Sequence, residues 1–131
     1  MAAINKTTKK QFEVFKAECK KWLNYFGLNG WQAEYRHDKA EGNRGQVSWR
    51  ITARNSIITL ADEWESFRDT PITDFEIKKV AFHEVCEILL ARITMMANNK
   101  IANHEDAVTE ESHNIIRTLE NTIFMDKQNA A

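Results

Sequence analysis

The chain has 131 residues, enough for one hydrophobic core but not two. With 43% apolar and 28% charged residues and a net charge of −1, it lacks the electrostatic footprint of a protein drawn to nucleic acid or to an anionic membrane. No apolar run approaches the ~18 residues that a membrane span needs, and Met1-Ala2-Ala3-Ile4-Asn5-Lys6 has no apolar core of signal-peptide length. Cys19 and Cys86 fall inside predicted helices with apolar neighbours, the pattern of a reduced, intracellular protein. One domain over residues 1–131 is therefore expected, cytoplasmic, with residues 1–7 and 126–131 as frayed ends.

The first element is a helix. Thr8 with Gln11 three residues on reads as a capping box, and Phe12, Phe15, Cys19, Trp22 and Phe26 recur as one apolar stripe. Gly27 and Gly30 supply the stop. The middle of the chain alternates with period two. Trp31, Ala33 and Tyr35 share one face of a strand, a polar loop of residues 37–45 follows, and Val47, Trp49, Ile51 and Ala53 face inward on a second strand. Asn55-Ser56 is read as a tight turn before a third strand, Ile57 to Ala61. Short connections favour antiparallel neighbours, so a three-stranded antiparallel meander is expected. After a polar loop of residues 62–70, which contains Trp64 and Phe67, Thr73 and Glu76 form a second capping box. The helix it opens runs to about Ala97 and is apolar on most sides, with Lys78 and Arg92 marking its solvent stripe; it is the expected core helix. A last helix, about Ala107 to Met125, buries Val108, Ile116, Leu119 and Ile123. The order is that of an α+β domain.

The chemistry gathers on the core helix at His83-Glu84-Val85-Cys86-Glu87. At about 100° per residue, His83 and Glu87 project side by side, one turn apart, and Glu84 approaches the same point from the flank. That is the arrangement by which H-E-x-x-H holds a metal, with a carboxylate beside it to take a proton from water. Here glutamate stands in the fifth position, and carboxylate oxygen is an acceptable zinc ligand. Leaving these charges unpaired in an otherwise buried helix would cost several kcal/mol. The bland alternative is a hydrogen-bonded network, or Glu84 and Glu87 reaching out to Lys79 and Arg92. A third ligand is sought on the last helix. His113 flanks its buried stripe, Glu110 is intermediate and held in reserve, and Glu111 falls on the far side. His104, in the preceding loop, is a further reserve. Cys86 points away from the His83–Glu87 stripe and reads as a small core residue. Trp22, Trp31, Trp49 and Trp64 read as core or rim, and His37 beside Asp38 as solvated loop chemistry.

Together, Ile57-Ile58-Thr59-Leu60, Trp64, the run Val80-Ala81-Phe82-His83-Glu84-Val85 with Ile88-Leu89-Leu90, and Ile115-Ile116-Arg117-Thr118-Leu119-Glu120 resemble the zincin-like metallopeptidases common in phage genomes. The resemblance covers about residues 31–124. It implies a minimal zincin-like fold, one zinc ion and hydrolysis of peptide bonds. Two positions depart from the pattern. Glu87 stands where the second motif histidine is usual, and His113 stands where the family often has an acidic residue. They look like an exchange that preserves two histidines and one carboxylate: His83, Glu87 and His113 as metal ligands, with Glu84 as general base. Arg92, Arg117 and Tyr35 are candidate transition-state stabilisers, and the edge of the strand Ile57 to Ala61 is a candidate seat for an extended substrate. The competing expectation is a non-catalytic protein of the same fold that docks on and modulates a host protein. Neither reading calls for nucleic acid or a membrane as partner.

Overall fold

Both predicted capping boxes open helices in the structure, a computed structural model that describes residues 3–40, 44–66, 70–91, 93–95 and 105–129. At the start of α1 (Lys9–Tyr25), the Thr8 hydroxyl accepts from the Gln11 N–H, and the Gln11 side chain accepts from the Thr8 N–H. The helix stops at Gly27, whose φ of 70° suits a residue without Cβ. There the Leu28 N–H reaches back to the Leu23 carbonyl (2.8 Å) and the Gly27 N–H to that of Asn24 (3.1 Å), a Schellman closure. Thr73 and Glu76 repeat the reciprocal cap at α2 (Asp74–Leu89). At Leu90 the backbone flattens to φ −95° and ψ 0° and interrupts the helix that the sequence runs on to about Ala97. Ala91 and residues 93–95 are helical again, with the Thr94 N–H donating to the Leu90 carbonyl (3.0 Å); Ala97 lies outside the described residues.

The sheet corrects the expected meander. Strands β2 (Gln32–Asp38), β3 (Gly45–Arg50) and β4 (Asn55–Ala61) lie in the order β2-β4-β3; β4 is antiparallel to β3 but parallel to β2. Hydrophobicity explains the insertion. β4 carries Ile57-Ile58-Thr59-Leu60-Ala61, buried over most of its length, whereas β2 alternates exposed and half-buried positions. A near-continuous apolar strand belongs in the middle, and alternating ones at the flanks. The connection of residues 39–44 is long enough to bridge the two strand spacings, about 10 Å, that separate β2 from β3. Both its ends are tied to the end of β4: the Ala61 N–H donates to the Arg44 carbonyl (3.0 Å) and the Asp62 N–H to that of Asp38 (3.0 Å).

Three smaller expectations change with it. β3 stops at Arg50, and residues 51–54 make the turn, with Arg54 at φ 51°; Asn55 and Ser56 already belong to β4. The N-terminal residues form β1 (Ala3–Lys6), paired antiparallel with β5 (Glu63–Ser66), so neither segment is the loose end or loop that its polarity implied. Trp64, on β5, is buried, while Phe67 lies outside the described residues. His37 is next to last in β2: its Nε2 meets the Thr7 hydroxyl at 2.7 Å and its ring stacks on Phe12. It joins the N-terminal strand to the sheet.

The last helical region is α3 (Glu105–Leu119), a π-helical turn at Glu120–Phe124, and α4 (Met125–Asn129). Glu120 and Phe124, which open and close that turn, are both buried. Phe124 packs on Phe82 of α2 (5.2 Å between rings), and Phe82 meets Trp22 of α1 edge-on at 4.6 Å. Residues 126–129, expected to fray, are helical, and Gln128 is tied in: buried Glu18 accepts from the Trp22 indole (2.7 Å) and from the Gln128 amide (3.0 Å). Ile116 is buried and Leu119 and Ile123 partly so, as expected; the Val108 side chain is outside the described set. Among the described residues no helix is long and apolar enough to cross a membrane.

At the start of β3, α2 approaches so closely that a Cβ on Gly45 would lie 2.8 Å from Val80 Cγ1, 3.2 Å from the Thr59 carbonyl and 3.3 Å from Glu84 Cγ. Overpacking of this kind costs about 1–3 kcal/mol. Gly45→Ala should lower stability by that amount in urea denaturation. A midpoint equal to that of the wild type would mean that β3 and α2 are not in the tight contact described.

Candidate metal centre

α2 turns its apolar face, Ile77, Ala81, Phe82, Val85 and Ile88, into the core, all of them buried. His83 and Glu87 consequently fall on the rim of that face, both half-buried, with His83 Nε2 3.8 Å from Glu87 Oε2. From α3, His113 completes the group: its Nε2 lies 3.7 Å from Glu87 Oε1, and its ring centre 5.4 Å from that of His83. One ligand atom from each of His83, Glu87 and His113 fits within 4.8 Å of the others. The bidding of the three residues for one point in space is what the helical spacing predicted.

The sequence reading missed Glu120. This buried carboxylate, on the π-helical turn, sets its Oε2 3.6 Å from His83 Nδ1, within charge-pairing range though long for a hydrogen bond. A carboxylate on one ring nitrogen favours the tautomer that leaves the other nitrogen's lone pair free, here Nε2, which faces Glu87. The signal was present: Glu120 is seven residues after His113, two helical turns along the same face.

Glu84 is buried, and its Oε2 is the one buried side-chain N or O among the described residues with no hydrogen-bond partner. Burial pushes its carboxyl well above the usual carboxylate range, and the neighbouring Glu87 raises it further through its charge and a hydrogen bond. It does not reach out to Lys79, as the bland alternative supposed. Glu84 lines a cleft of about 790 Å³ together with His83, Glu87, His113 and Glu120 on one side and Gly45 to Val47 of β3 on the other.

Of the reserve ligands, Glu110 and Glu111 are not brought to this point. Glu110 and Glu111 are both exposed on α3, away from the inward face that carries His113, and neither joins the ligand group. His104 and Arg92 lie outside the described residues. Arg117 is exposed and bonded to Asn114 (2.9 Å), and Tyr35 sits beside Lys20, so neither lines the cleft. Cys86 is fully buried, as its phase on the helix predicts.

Two imidazoles and a carboxylate form a donor set suited to zinc. A tetrahedral ion at 2.0–2.1 Å from nitrogen and oxygen would set neighbouring ligand atoms about 3.3 Å apart. One ligand atom from each of the three lies within 4.8 Å of the others, so all three would draw inward to hold such an ion. The orphaned Glu84 oxygen, aimed at nothing within the protein, fits a site that expects a further occupant. No family model matches the chain, and no curated protein or solved structure does either.

Two outcomes are expected. His83→Ala, Glu87→Ala and His113→Ala should each abolish near-stoichiometric zinc in elemental analysis of untagged protein, and Glu120→Gln should weaken it about 10–100-fold. Zinc unchanged by His113→Ala would remove α3 from the site. In metal-free protein, the folded state keeps the Glu84 proton at pH values where the unfolded chain has released it. Stability should thus fall as pH rises from the ordinary carboxyl range toward the raised value, by up to about 1.4 kcal/mol per unit for one proton. Glu84→Gln should flatten that slope in denaturation series; parallel curves for the two proteins would assign the proton elsewhere.

Proposed function

We infer that the chain is a zinc-dependent peptidase of a minimal zincin-like kind, with a variant H-E-x-x-E motif completed by His113. The observation that carries this reading is the convergence of His83, Glu87 and His113 beside Glu84, a buried carboxylate that lines the same cleft and has one unpartnered oxygen. Bound zinc would supply a Lewis acid that acidifies water and polarises a peptide carbonyl.

The chain's own residues supply the rest. Glu84, as carboxylate, takes a proton from the attacking water and passes it to the departing amine nitrogen. Its burial suits both tasks, because a carboxyl with raised proton affinity is a stronger base and holds the proton until the leaving group needs it. Glu120 holds the His83 ring in orientation through Nδ1. Since β4 is paired on both sides, its edge cannot seat a substrate; β3 can. Among the described residues β3 pairs only with β4, and its Gly45 to Val47 stretch lines the cleft, so an extended peptide there would gain main-chain hydrogen bonds beside His83 and Glu84.

Glu84→Gln tests the reading. It should retain zinc while hydrolysis of an internally quenched peptide library drops at least about 100-fold. Equal cleavage by the variant sinks the mechanism. Zinc binding without hydrolysis by the wild type would instead favour a metal-bearing protein that binds a partner.

A further inference from the structure

Away from the metal-ligating cluster, the same cleft carries two cations, Arg44 and Lys79. Arg44 is unusually well held for an exposed residue. Its guanidinium lies over the Trp64 ring, 4.8 Å from the centroid, and its carbonyl accepts from both the Trp64 indole (3.1 Å) and the Ala61 N–H (3.0 Å). The ring beneath is itself buried, so the platform is rigid. That contact restrains the guanidinium while leaving its N–H groups able to donate. Lys79 stands on α2 one turn before His83, on the side that leads from the motif toward the start of the helix.

Among the described residues neither cation has an acidic partner within 4.0 Å. The nearby acids are engaged elsewhere: Glu76 caps α2, Glu87 and Glu120 face the histidines, and Glu84 is buried. A guanidinium held over a buried ring and a lysine ammonium lining the same cleft are suited to a carboxylate.

We propose that Arg44, stacked on Trp64, and Lys79 form a carboxylate-recognition subsite, so that the cleft selects peptides bearing an acidic side chain or a free C-terminal carboxylate next to the bond presented to Glu84. The identity of the ligand rests on the peptidase reading. The subsite itself is tested by binding alone, so the two can fail separately.

Three peptides of one length differ only in charge: one with an internal Glu and blocked ends, one with Gln there and a free C-terminus, and one with Gln and blocked ends. Each is titrated by calorimetry into zinc-loaded Glu84→Gln protein, and into the same protein carrying Arg44→Met and Lys79→Met. Met keeps an apolar chain over Trp64, and circular dichroism and zinc content confirm that the fold and metal survive. The expected result is that one acidic peptide binds at least about tenfold more tightly than the blocked neutral one, and that the double substitution erases the difference. Preference for the first or the second peptide identifies the source of the carboxylate. Equal affinity for all three, no binding by any, or a preference that survives the double substitution overturns the proposal. Loss of hydrolysis in the wild type with the preference intact would count against the peptidase reading and leave the subsite standing.

Discussion

Phe82 settles the phase of the molecule. Its ring is fully buried against Trp22 of α1 and Phe124 of the π-helical turn, and it precedes His83 by one residue. With Phe82 locked inward, the next side chain emerges about 100° around the helix, at the boundary between core and cleft. The same cluster fixes the other half of the site: Phe124 lies four residues after Glu120, so seating it on Phe82 brings the Glu120 carboxylate to His83 Nδ1. Buried aromatic surface, the largest stabilising element a small domain has, thereby sets the geometry of polar groups that contribute little stability themselves.

Glu84 shows the other side of that arrangement. A helix that must bury one face has little room for an unpartnered carboxylate, and the close approach at Gly45 leaves even less. Burial without a partner raises the proton affinity of the group, at the expense of some stability. Gly45 belongs to the same compromise, since any larger residue would press on Val80 and on Glu84 itself.

The elements legible in the sequence were those governed by local rules. Both capping boxes, the apolar stripe of α1, the alternation in β2 and the inward phase of His113 follow from spacing and turn chemistry, and each appears in the structure. Sheet order did not, because it depends on which strand is most completely buried once the helices are in place, a tertiary competition that the short loops around β3 disguised. β1 and β5 escaped notice for a related reason: each is only four residues long and polar in part, and they gain strand structure from pairing across the whole chain. Glu120 was visible on the same face as His113 but not as a neighbour of His83, since that depends on how the last helical region packs on α2.

That turn bears on how the chain can change over generations. A π-helical turn packs one residue more into its length than an α-helix would, so it advances the chain much as a regular turn with one residue fewer does. Loss of a single codon between Glu120 and Phe124 would leave a regular helix of acceptable local energy, with the carboxylate and the aromatic ring three positions apart and still on one face. The exposed positions, Asn121 and Thr122, are where such a loss disturbs least. Related chains can therefore vary here in number as well as in letters, provided that a carboxylate still faces His83 and an aromatic ring still faces Phe82.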